Sequence, residues 1–436
     1  MTSMLVSEYD RFVERTDQST DLPPKVRMEI ALYGVASEIG SVISAVKKRL
    51  LANVGQSAWN VPDADIIEEL GDVVWYCFAL VRQANPGKLV NIFAHDIGQL
   101  KDELGANSKR AERLRQVLDP TKRAQFLQAA EHFPRRRDLR FEDYQDLAFL
   151  TARTKDRELA EVCLVVLQQL GAELLRQSLP EIERELNTTL PDRPMNDLLG
   201  EIAWHVAALS SLYELRMSDI VAANVAKISD RWDRSARTPL HDEGFPEKER
   251  FPRRFQVEFL SAGPGRSRMM LEGAQLGDDL TDNAYHDDGY RFHDVMHLAN
   301  VAKLGWSPVL RSLMARKRKS DPEVDEVEDG ARARIVEEAV VKAIHAEGVR
   351  LAAVRAVGVT GPVQLFPGSG DISFSFLKGI RALVTDLEVA KNRLSEWEAA
   401  ILDGYAVFHQ LRLFGAGVVT VDMNERTITF QQPTAS

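Results

Sequence analysis

Three carboxylates stand close together in the segment EELGDVVWY, residues 68–76: Glu68, Glu69 and Asp72. On a helix, Glu69 and Asp72 are three positions apart and Glu68 and Asp72 are four apart, so the side chains share one side. Like charges at this spacing repel one another, and a divalent cation such as Mg²⁺, which prefers oxygen ligands, would remove that repulsion. The alternative is a solvated acidic first turn, stabilised by the helix dipole. Taken alone, the spacing favours the acidic turn.

The carboxylates belong to a chain whose first half is patterned as helix. Apolar residues recur at intervals of three and four, which predicts amphipathic helices over residues 25–51, 63–84, 141–186 and 195–233. A charged helical stretch at about 96–132 and a cluster of charges around Pro134 separate the first two helices from the last two.

The later helices echo the earlier ones. The segment NDLLGEIAWHVAAL, residues 196–209, can be laid over IIEELGDVVWYCFAL, residues 67–81, so that Gly200 falls on Gly71 and Trp204 on Trp75. Asp72 then falls on Glu201. We therefore predict two divergent copies of one helical unit, residues 1–133 and 134–233.

A second helix supplies a further carboxylate and two cations. The segment GVASEIGSVISAVKK, residues 34–48, contains Glu38 and ends on Lys47 and Lys48. Together with EELGDVVWY, it resembles the MazG-like family of all-α nucleoside triphosphate pyrophosphohydrolases. The family pattern is Glu-Glu-x-x-Glu on one helix and Glu-x-x-Asp on the next. The resemblance covers about residues 25–233 and implies a Mg²⁺ cofactor, with Mn²⁺ as an alternative, and a nucleoside triphosphate substrate.

The resemblance implies roles for the residues that match its motifs. Glu38, Glu69 and Asp72 would bind Mg²⁺. Glu68 is a candidate base; the alternative is that Glu68 only supports the metal ligands from behind or lies at the surface. The two cations at the end of this segment, Lys47 and Lys48, would stabilise negative charge on the substrate; the alternative is that they simply form a cationic helix end. The sequence departs from the family pattern at two positions, because Ser37 and Ser41 stand where the family has glutamates.

The second copy departs further from the pattern. Acids of the motif are replaced by Gln168, Gln169 and Leu198, so this copy is not expected to bind a metal. Its closing segment NVAKISDRW, residues 224–232, nevertheless matches the family's last helix, which implies that the substrate phosphate is bound by Asn224, Lys227 and Arg231. We therefore predict one composite pocket, with metal ligands from copy one and phosphate ligands from copy two; the alternative is that both copies have decayed. Trp75 and Trp204 are expected to pack in the helical core rather than stack on a base.

The last part of the chain has a different pattern. Residues 234–254 are polar and rich in proline, which predicts a linker before a domain at 255–436. The segment FQVEFLSA, residues 255–262, alternates like a strand, and GVVTVDMNERTITF predicts a C-terminal hairpin that pairs with it in a small antiparallel sheet. Residues 289–341 resemble the C-terminal domain that is found behind MazG-like regions. The expected fold is mainly α, a MazG-like helical bundle followed by an α+β domain.

A second candidate metal site lies in this domain. His293 and His297 are four positions apart on one helical face, Asp294 follows His293, and Glu338 lies on another helix. Histidine and carboxylate ligands from neighbouring helices would suit a second divalent metal such as Zn²⁺, Mn²⁺ or Fe²⁺. The alternative is a hydrogen-bonded structural network.

Composition narrows the class of protein. The chain has 436 residues and a formal net charge of −10, which argues against a nucleic-acid-binding surface. The N-terminus does not have the pattern of a signal peptide and no apolar run is long enough for a membrane span, so a cytoplasmic protein is expected. Cys77 and Cys163 are then expected to be reduced thiols in the core. A homo-oligomer is left open. Three hypotheses remain: a Mg²⁺-dependent pyrophosphohydrolase, a nucleotide-binding regulator that has lost catalysis at Ser41, and an enzyme whose centre is the His/Glu cluster.

Overall fold

The chain folds into two compact units, Met1–Ile228 and Ser229–Ser436. The computed structural model describes residues 3–52, 64–85, 91–177, 193–235, 237–356 and 361–433. Within those residues the first unit is built from helices, and the second combines helices with one small antiparallel sheet. The predicted fold class is therefore confirmed.

The first unit is a bundle whose core is lined by one face of each long helix. Its helices are α1 (Val6–Thr16), α2 (Pro24–Ala52), α3 (Ala64–Ala84), α4 (Ile92–Gly105), α5 (Lys109–Val117), α6 (Pro120–Ala130), α7 (Phe141–Phe149), α8 (Arg157–Gln177), α9 (Met195–Leu212) and α10 (Met217–Trp232), whose last turn, from Ser229, is assigned to the second unit. Four of them begin at side-chain caps: Asn91 accepts hydrogen bonds from the first turn of α4, and Ser108, Asp119 and Asp156 do so for α5, α6 and α8.

Helices α2 and α3 pack along each other and position the acidic residues. Val35, Ile39 and Val42 of α2 are fully buried, as are Leu70 and Val73 of α3. Burial of these side chains stabilises the pair by roughly 1.5–3 kcal/mol per residue before entropy is counted. The part of α2 at Pro24–Lys48 is long and apolar enough to cross a membrane by length and composition alone, a test that core helices also pass.

The second unit packs helices against a five-stranded sheet, whose central strand alternates between buried and exposed residues. The helices are α11 (Asp294–Leu304), α12 (Pro308–Leu313), α13 (Pro322–Val327), α14 (Ala331–Arg355), α15 (Phe374–Leu383) and α16 (Leu394–Phe414). The strands are β1 (Arg254–Ser261), β2 (Ser267–Leu271), β3 (Ala274–Leu280), β4 (Gly417–Asp422) and β5 (Thr427–Gln431), in the order β3-β2-β1-β4-β5. All neighbouring strands are antiparallel.

The sheet contains the predicted pairing and two further strands. As expected, β1 pairs with the first strand of the C-terminal hairpin, with Val257 opposite Val419. The alternating side chains of β1 place Phe255, Val257 and Phe259 in the core. Strands β2 and β3 were not predicted, because they are short and rich in polar residues. The segment 234–254 contributes to this core as well, since Asp242 and Phe251 are buried.

Candidate metal centre

Glu38, Glu69 and Asp72 come together where α2 and α3 pack. Each offers one carboxylate oxygen, and the three oxygens lie within 4.8 Å of one another. All three side chains are half-buried, so they lie at the border of the core and within reach of solvent. Three carboxylates in such a position offer the hard oxygen donors that Mg²⁺ and Mn²⁺ prefer. The donor set therefore fits the predicted cofactor.

The charge of this cluster is only partly compensated. Burial, together with the neighbouring charges of Glu38 and Asp72, raises the pKa of Glu69 to about 7. Burial also raises the pKa of Asp72 to about 6, although the ammonium of Lys227 opposes that rise. Each carboxyl thus holds its proton more tightly than in water, chiefly because burial disfavours its charged form and secondly because its acidic neighbours repel a further negative charge. A divalent cation would relieve this cost.

Two residues of α10 contact the cluster directly. Asn224 Nδ2 donates a hydrogen bond of 2.9 Å to Asp72 Oδ1. Lys227 Nζ donates to Asp72 Oδ2 and lies 2.8 Å from Glu68 Oε1. Two of the three residues that the resemblance assigns to phosphate binding thus lie beside those that it assigns to metal binding. Burial lowers the pKa of Lys227, but its two carboxylate partners more than offset this and hold the pKa above its usual value.

The sequence did not indicate a further residue of this site, Tyr9. Its hydroxyl donates a hydrogen bond of 2.8 Å to Asn224 Oδ1, and the residue is fully buried. This bond fixes the orientation of the Asn224 amide, so that its NH₂ group faces Asp72. Tyr9 belongs to no motif, and its position in an amphipathic helix is that of an ordinary core residue.

A glycine lets α10 approach α3 this closely. A Cβ atom at Gly71 would lie 2.9 Å from the Asn224 Cβ and 3.3 Å from the Ile220 carbonyl oxygen. Any larger residue at position 71 would push α10 away and lengthen the contact between Asn224 and Asp72.

The same contacts recur in the other half of the first unit. A Cβ atom at Gly200 would lie 3.1 Å from the Asp96 Cβ, and the Tyr144 hydroxyl donates to Asp96 as Tyr9 does to Asn224. The two tryptophans also correspond, because Trp75 donates to Thr16 Oγ1 and Trp204 to Thr151 Oγ1. Each half therefore packs its glycine-bearing helix against the closing helix of the other half. The division into repeats at residue 133 stays a prediction.

The counterpart of the carboxylate cluster in the second half is a cavity of about 710 Å³ with different chemistry. Glu201, which corresponds to Asp72, forms an ion pair with Arg193, and Asp197 lies 2.7 Å from His95 Nε2. Burial raises the pKa of Asp96 to about 8. Among the described residues, no group of acids in this half meets the spacing of the first cluster. Gln168 and Gln169 are exposed.

Three predicted cations or ligands lie apart from the cluster. Lys47 and Lys48 are exposed near the end of α2, and a helical rise puts them about 13–15 Å along the axis from Glu38. Arg231 belongs to the second unit, where it is buried, lies 3.4 Å from Glu398 and donates to the Ile372 carbonyl oxygen. Its guanidinium is thus engaged by a carboxylate distant in sequence.

The two serines that replace family glutamates differ in position. Ser41 is half-buried and follows Glu38 by three residues, so both lie on one side of α2. Ser37 is exposed, and its hydroxyl donates to the Gly34 carbonyl oxygen. Position 41 is therefore the one at which a longer acid would face the cluster.

Residues 236–434 match the family model described as the MazG C-terminal domain. The chain carries a MazG C-terminal domain. This match confirms the resemblance noted for residues 289–341, and it also includes most of the segment predicted as a linker. No curated protein and no solved structure was found to match the chain.

The presence of the MazG C-terminal domain suggests a pyrophosphohydrolase-like role for the chain.

Within this domain, His293, Asp294 and His297 also come together, with one ligand atom from each within 4.8 Å of the others. Glu338 lies beside both histidines. The residues predicted as a second metal site are thus neighbours in the structure.

Proposed function

We propose that the first unit is a Mg²⁺-dependent nucleoside triphosphate pyrophosphohydrolase, which converts a nucleoside triphosphate and water to the monophosphate and pyrophosphate. The observation that carries this proposal is the convergence of Glu38, Glu69 and Asp72 with Asn224 and Lys227, which come from opposite ends of the unit. The MazG C-terminal domain behind it supports the same family of activities.

Glu38, Glu69 and Asp72 would hold the metal ion. Bound Mg²⁺ would neutralise the triphosphate and make its phosphorus more electrophilic. Asn224 and Lys227 orient Asp72, and Tyr9 orients Asn224. These contacts pre-organise the carboxylate, so that little rearrangement is needed when the metal binds.

In the proposed reaction, water attacks the α-phosphorus and the bond from this phosphorus to the bridging oxygen breaks, so that pyrophosphate leaves. Glu68 is the candidate that accepts the proton of the water. It lies 2.8 Å from Lys227, whose ammonium would also face the negative charge that develops on the phosphate.

Two observations favour a second function, nucleotide binding without turnover. Lys227 neutralises Asp72 and Glu68 in the way expected of a site that no longer uses a metal, and Ser41 replaces a family ligand. Such a protein would bind nucleotide without turning it over and act as a regulator.

A pyrophosphate-release assay over a panel of ribo- and deoxyribonucleoside triphosphates, with Mg²⁺ titrated, separates these functions. The proposal predicts metal-dependent release that falls at least about 100-fold in Glu69→Gln and Asp72→Asn, since each removes a metal ligand. The matched control is Glu201→Gln, the counterpart of Asp72 in the second half, which should retain activity.

Three results would count against a pyrophosphohydrolase centred on the carboxylate cluster. Nucleotide binding without pyrophosphate release would support the regulator. Release that survives Glu69→Gln but is lost in Glu338→Gln would instead place the chemistry at the His/Glu cluster. Release by Glu69→Gln and Asp72→Asn at the unmodified rate would remove the carboxylate cluster from the mechanism.

A further inference from the structure

One ligand atom from each of His293, Asp294 and His297 lies within 4.8 Å of the others, and the Glu338 carboxylate of α14 lies beside both imidazoles. His293 Nε2 lies 3.6 Å from Asp294 Oδ1 and 3.7 Å from Glu338 Oε2. His297 Nε2 lies 3.9 Å from the same Asp294 oxygen and 3.5 Å from Glu338 Oε1. Ligands about 2.1 Å from a common ion are themselves roughly 3.0–3.5 Å apart, so these donors need only a small contraction to enclose one.

The other nitrogen of each ring faces an acceptor. His293 Nδ1 lies 2.8 Å from the Tyr290 carbonyl oxygen, and its ring stacks on that of Tyr290. His297 Nδ1 lies 2.8 Å from Glu337 Oε1. When a metal ion replaces the proton on Nε2, an acceptor beside Nδ1 holds the remaining proton of the ring, which is the arrangement that orients histidine ligands in metal sites.

Glu337 is itself fixed in position. It is fully buried and accepts hydrogen bonds from Ser307 Oγ at 3.1 Å, the Val309 amide at 2.9 Å and Asn300 Nδ2 at 3.3 Å. A carboxylate held by three donors is a rigid support for His297. Such outer residues commonly determine metal affinity as strongly as the ligands do.

The cluster also contains a buried polar atom that lacks a partner of good geometry. His297 is 0% exposed, and neither ring nitrogen makes a hydrogen bond of good geometry within the described part of the chain, although carboxylate oxygens lie 2.8 Å from Nδ1 and 3.5 Å from Nε2. Burial of an imidazole nitrogen without a partner costs free energy, and three acidic side chains stand around it. A cation at the centre would satisfy Nε2 and offset the negative charge.

We propose that His293, Asp294, His297 and Glu338 bind a divalent first-row transition metal ion. Two nitrogen and two oxygen donors suit Zn²⁺, Co²⁺, Fe²⁺ or Mn²⁺, whereas Mg²⁺ and Ca²⁺ prefer sites made of oxygen alone. The expected order of affinity is Zn²⁺ above Co²⁺ above Mn²⁺. The site differs in this respect from the carboxylate cluster of the first unit.

The site has a route to solvent. The side chain of Glu338 is 46% exposed and lines a cavity of about 440 Å³, whose wall also contains Arg334 and the apolar residues Leu313 and Ile335. Glu338 therefore connects the two histidines with solvent. A cation in the wall and a metal behind it would together favour a small anionic ligand, such as a phosphate or a carboxylate.

Titration of the full chain with Co²⁺, followed by visible absorption, tests the proposal. Glu69→Gln and Asp72→Asn are introduced first, so that the oxygen cluster of the first unit contributes little. Binding at a site with imidazole ligands should give a saturable absorption band, and an excess of Zn²⁺ should remove it. His293→Gln and Glu338→Gln should each weaken Co²⁺ binding by at least about tenfold.

The matched control is His286→Gln, an exposed histidine of the same domain, which should leave the titration unchanged. Far-ultraviolet circular dichroism checks that each variant is folded. His297→Gln is not needed, because the half-exposed Glu338 can be changed with little effect on the core. The proposal is overturned if the folded His293→Gln and Glu338→Gln variants bind Co²⁺ as tightly as their parent, or if the parent gives no saturable band.

Discussion

The affinity of the carboxylate cluster for Mg²⁺ should rise steeply between pH 6 and pH 8. Metal binding requires ionised carboxylates, and in this cluster protons compete for them. Burial and the neighbouring charges raise the pKa of Glu69 to about 7, and burial raises that of Asp72 to about 6. Both groups are therefore partly protonated at pH 6 and ionised at pH 8.

The size of the effect follows from these two values. At pH 6, proton competition weakens binding about 11-fold through Glu69 and about 2-fold through Asp72, whereas at pH 8 the combined factor is about 1.1. The dissociation constant for Mg²⁺ should thus fall about 20-fold from pH 6 to pH 8, with the two carboxyls titrating as a coupled pair. Binding at pH 6.5 should release about one proton.

Isothermal titration calorimetry in buffers with different heats of ionisation measures both quantities. Glu69→Gln should weaken binding at pH 8 and reduce the pH dependence to the smaller share that Asp72 contributes. Glu201→Gln, in the other half of the unit, should retain the full dependence. A dissociation constant that is the same at pH 6 and pH 8, or that rises with pH, would refute the reasoning.

Three further predictions concern the same cluster. In the absence of metal, Glu69→Gln should stabilise the protein by about 1–2 kcal/mol at pH 8 after allowance for solvent screening, and by much less at pH 5. The reason is that a carboxyl whose pKa is raised in the folded state costs the protein stability as the pH rises from about 4 to about 7. Thermal melts at both pH values measure this difference, and equal effects at the two would contradict it. Tyr9→Phe should lower the free energy of unfolding by about 1–3 kcal/mol and weaken Mg²⁺ binding roughly 10-fold. The counterpart Tyr144→Phe should lower the free energy of unfolding by a similar amount and leave Mg²⁺ binding unchanged. Equal losses of Mg²⁺ affinity in calorimetry would show that Tyr9 does not act on the site. Ser41→Glu should tighten Mg²⁺ binding about tenfold by adding an oxygen ligand beside Glu38, and unchanged affinity would mean that position 41 does not face the ion.

Helical spacing explains why the carboxylates of α3 are neighbours, but the prediction of a metal site also needed the family resemblance. Glu69 and Asp72 share a side of α3 because they are three residues apart, and Glu38 reaches them because α2 and α3 bury continuous apolar faces against each other. The contribution of Asn224 and Lys227 was predicted only through the family resemblance. Periodicity alone does not say which helices of a bundle are neighbours.

Other features depend on contacts that no local pattern reveals. Tyr9 has the pattern of a core residue, and only the tertiary structure brings its hydroxyl to Asn224. Arg231 shares a helix with Lys227 and was expected to have the same role, but Glu398 pairs with it instead. The polar composition of 234–254 predicted a linker, whereas Asp242 is buried there through ion pairs with Arg253 and Arg311.

The central claim is that Glu38, Glu69 and Asp72 together hold the metal ion that the reaction needs. Crystals soaked with Mn²⁺ and a non-hydrolysable nucleoside triphosphate test it most directly, because Mn²⁺ can be located by its anomalous scattering. If the three residues hold the ion together, an anomalous peak should lie within about 2.5 Å of carboxylate oxygens from all of them. An ordered site without such a peak, with Lys227 still bound to Asp72 and Glu68, would contradict it.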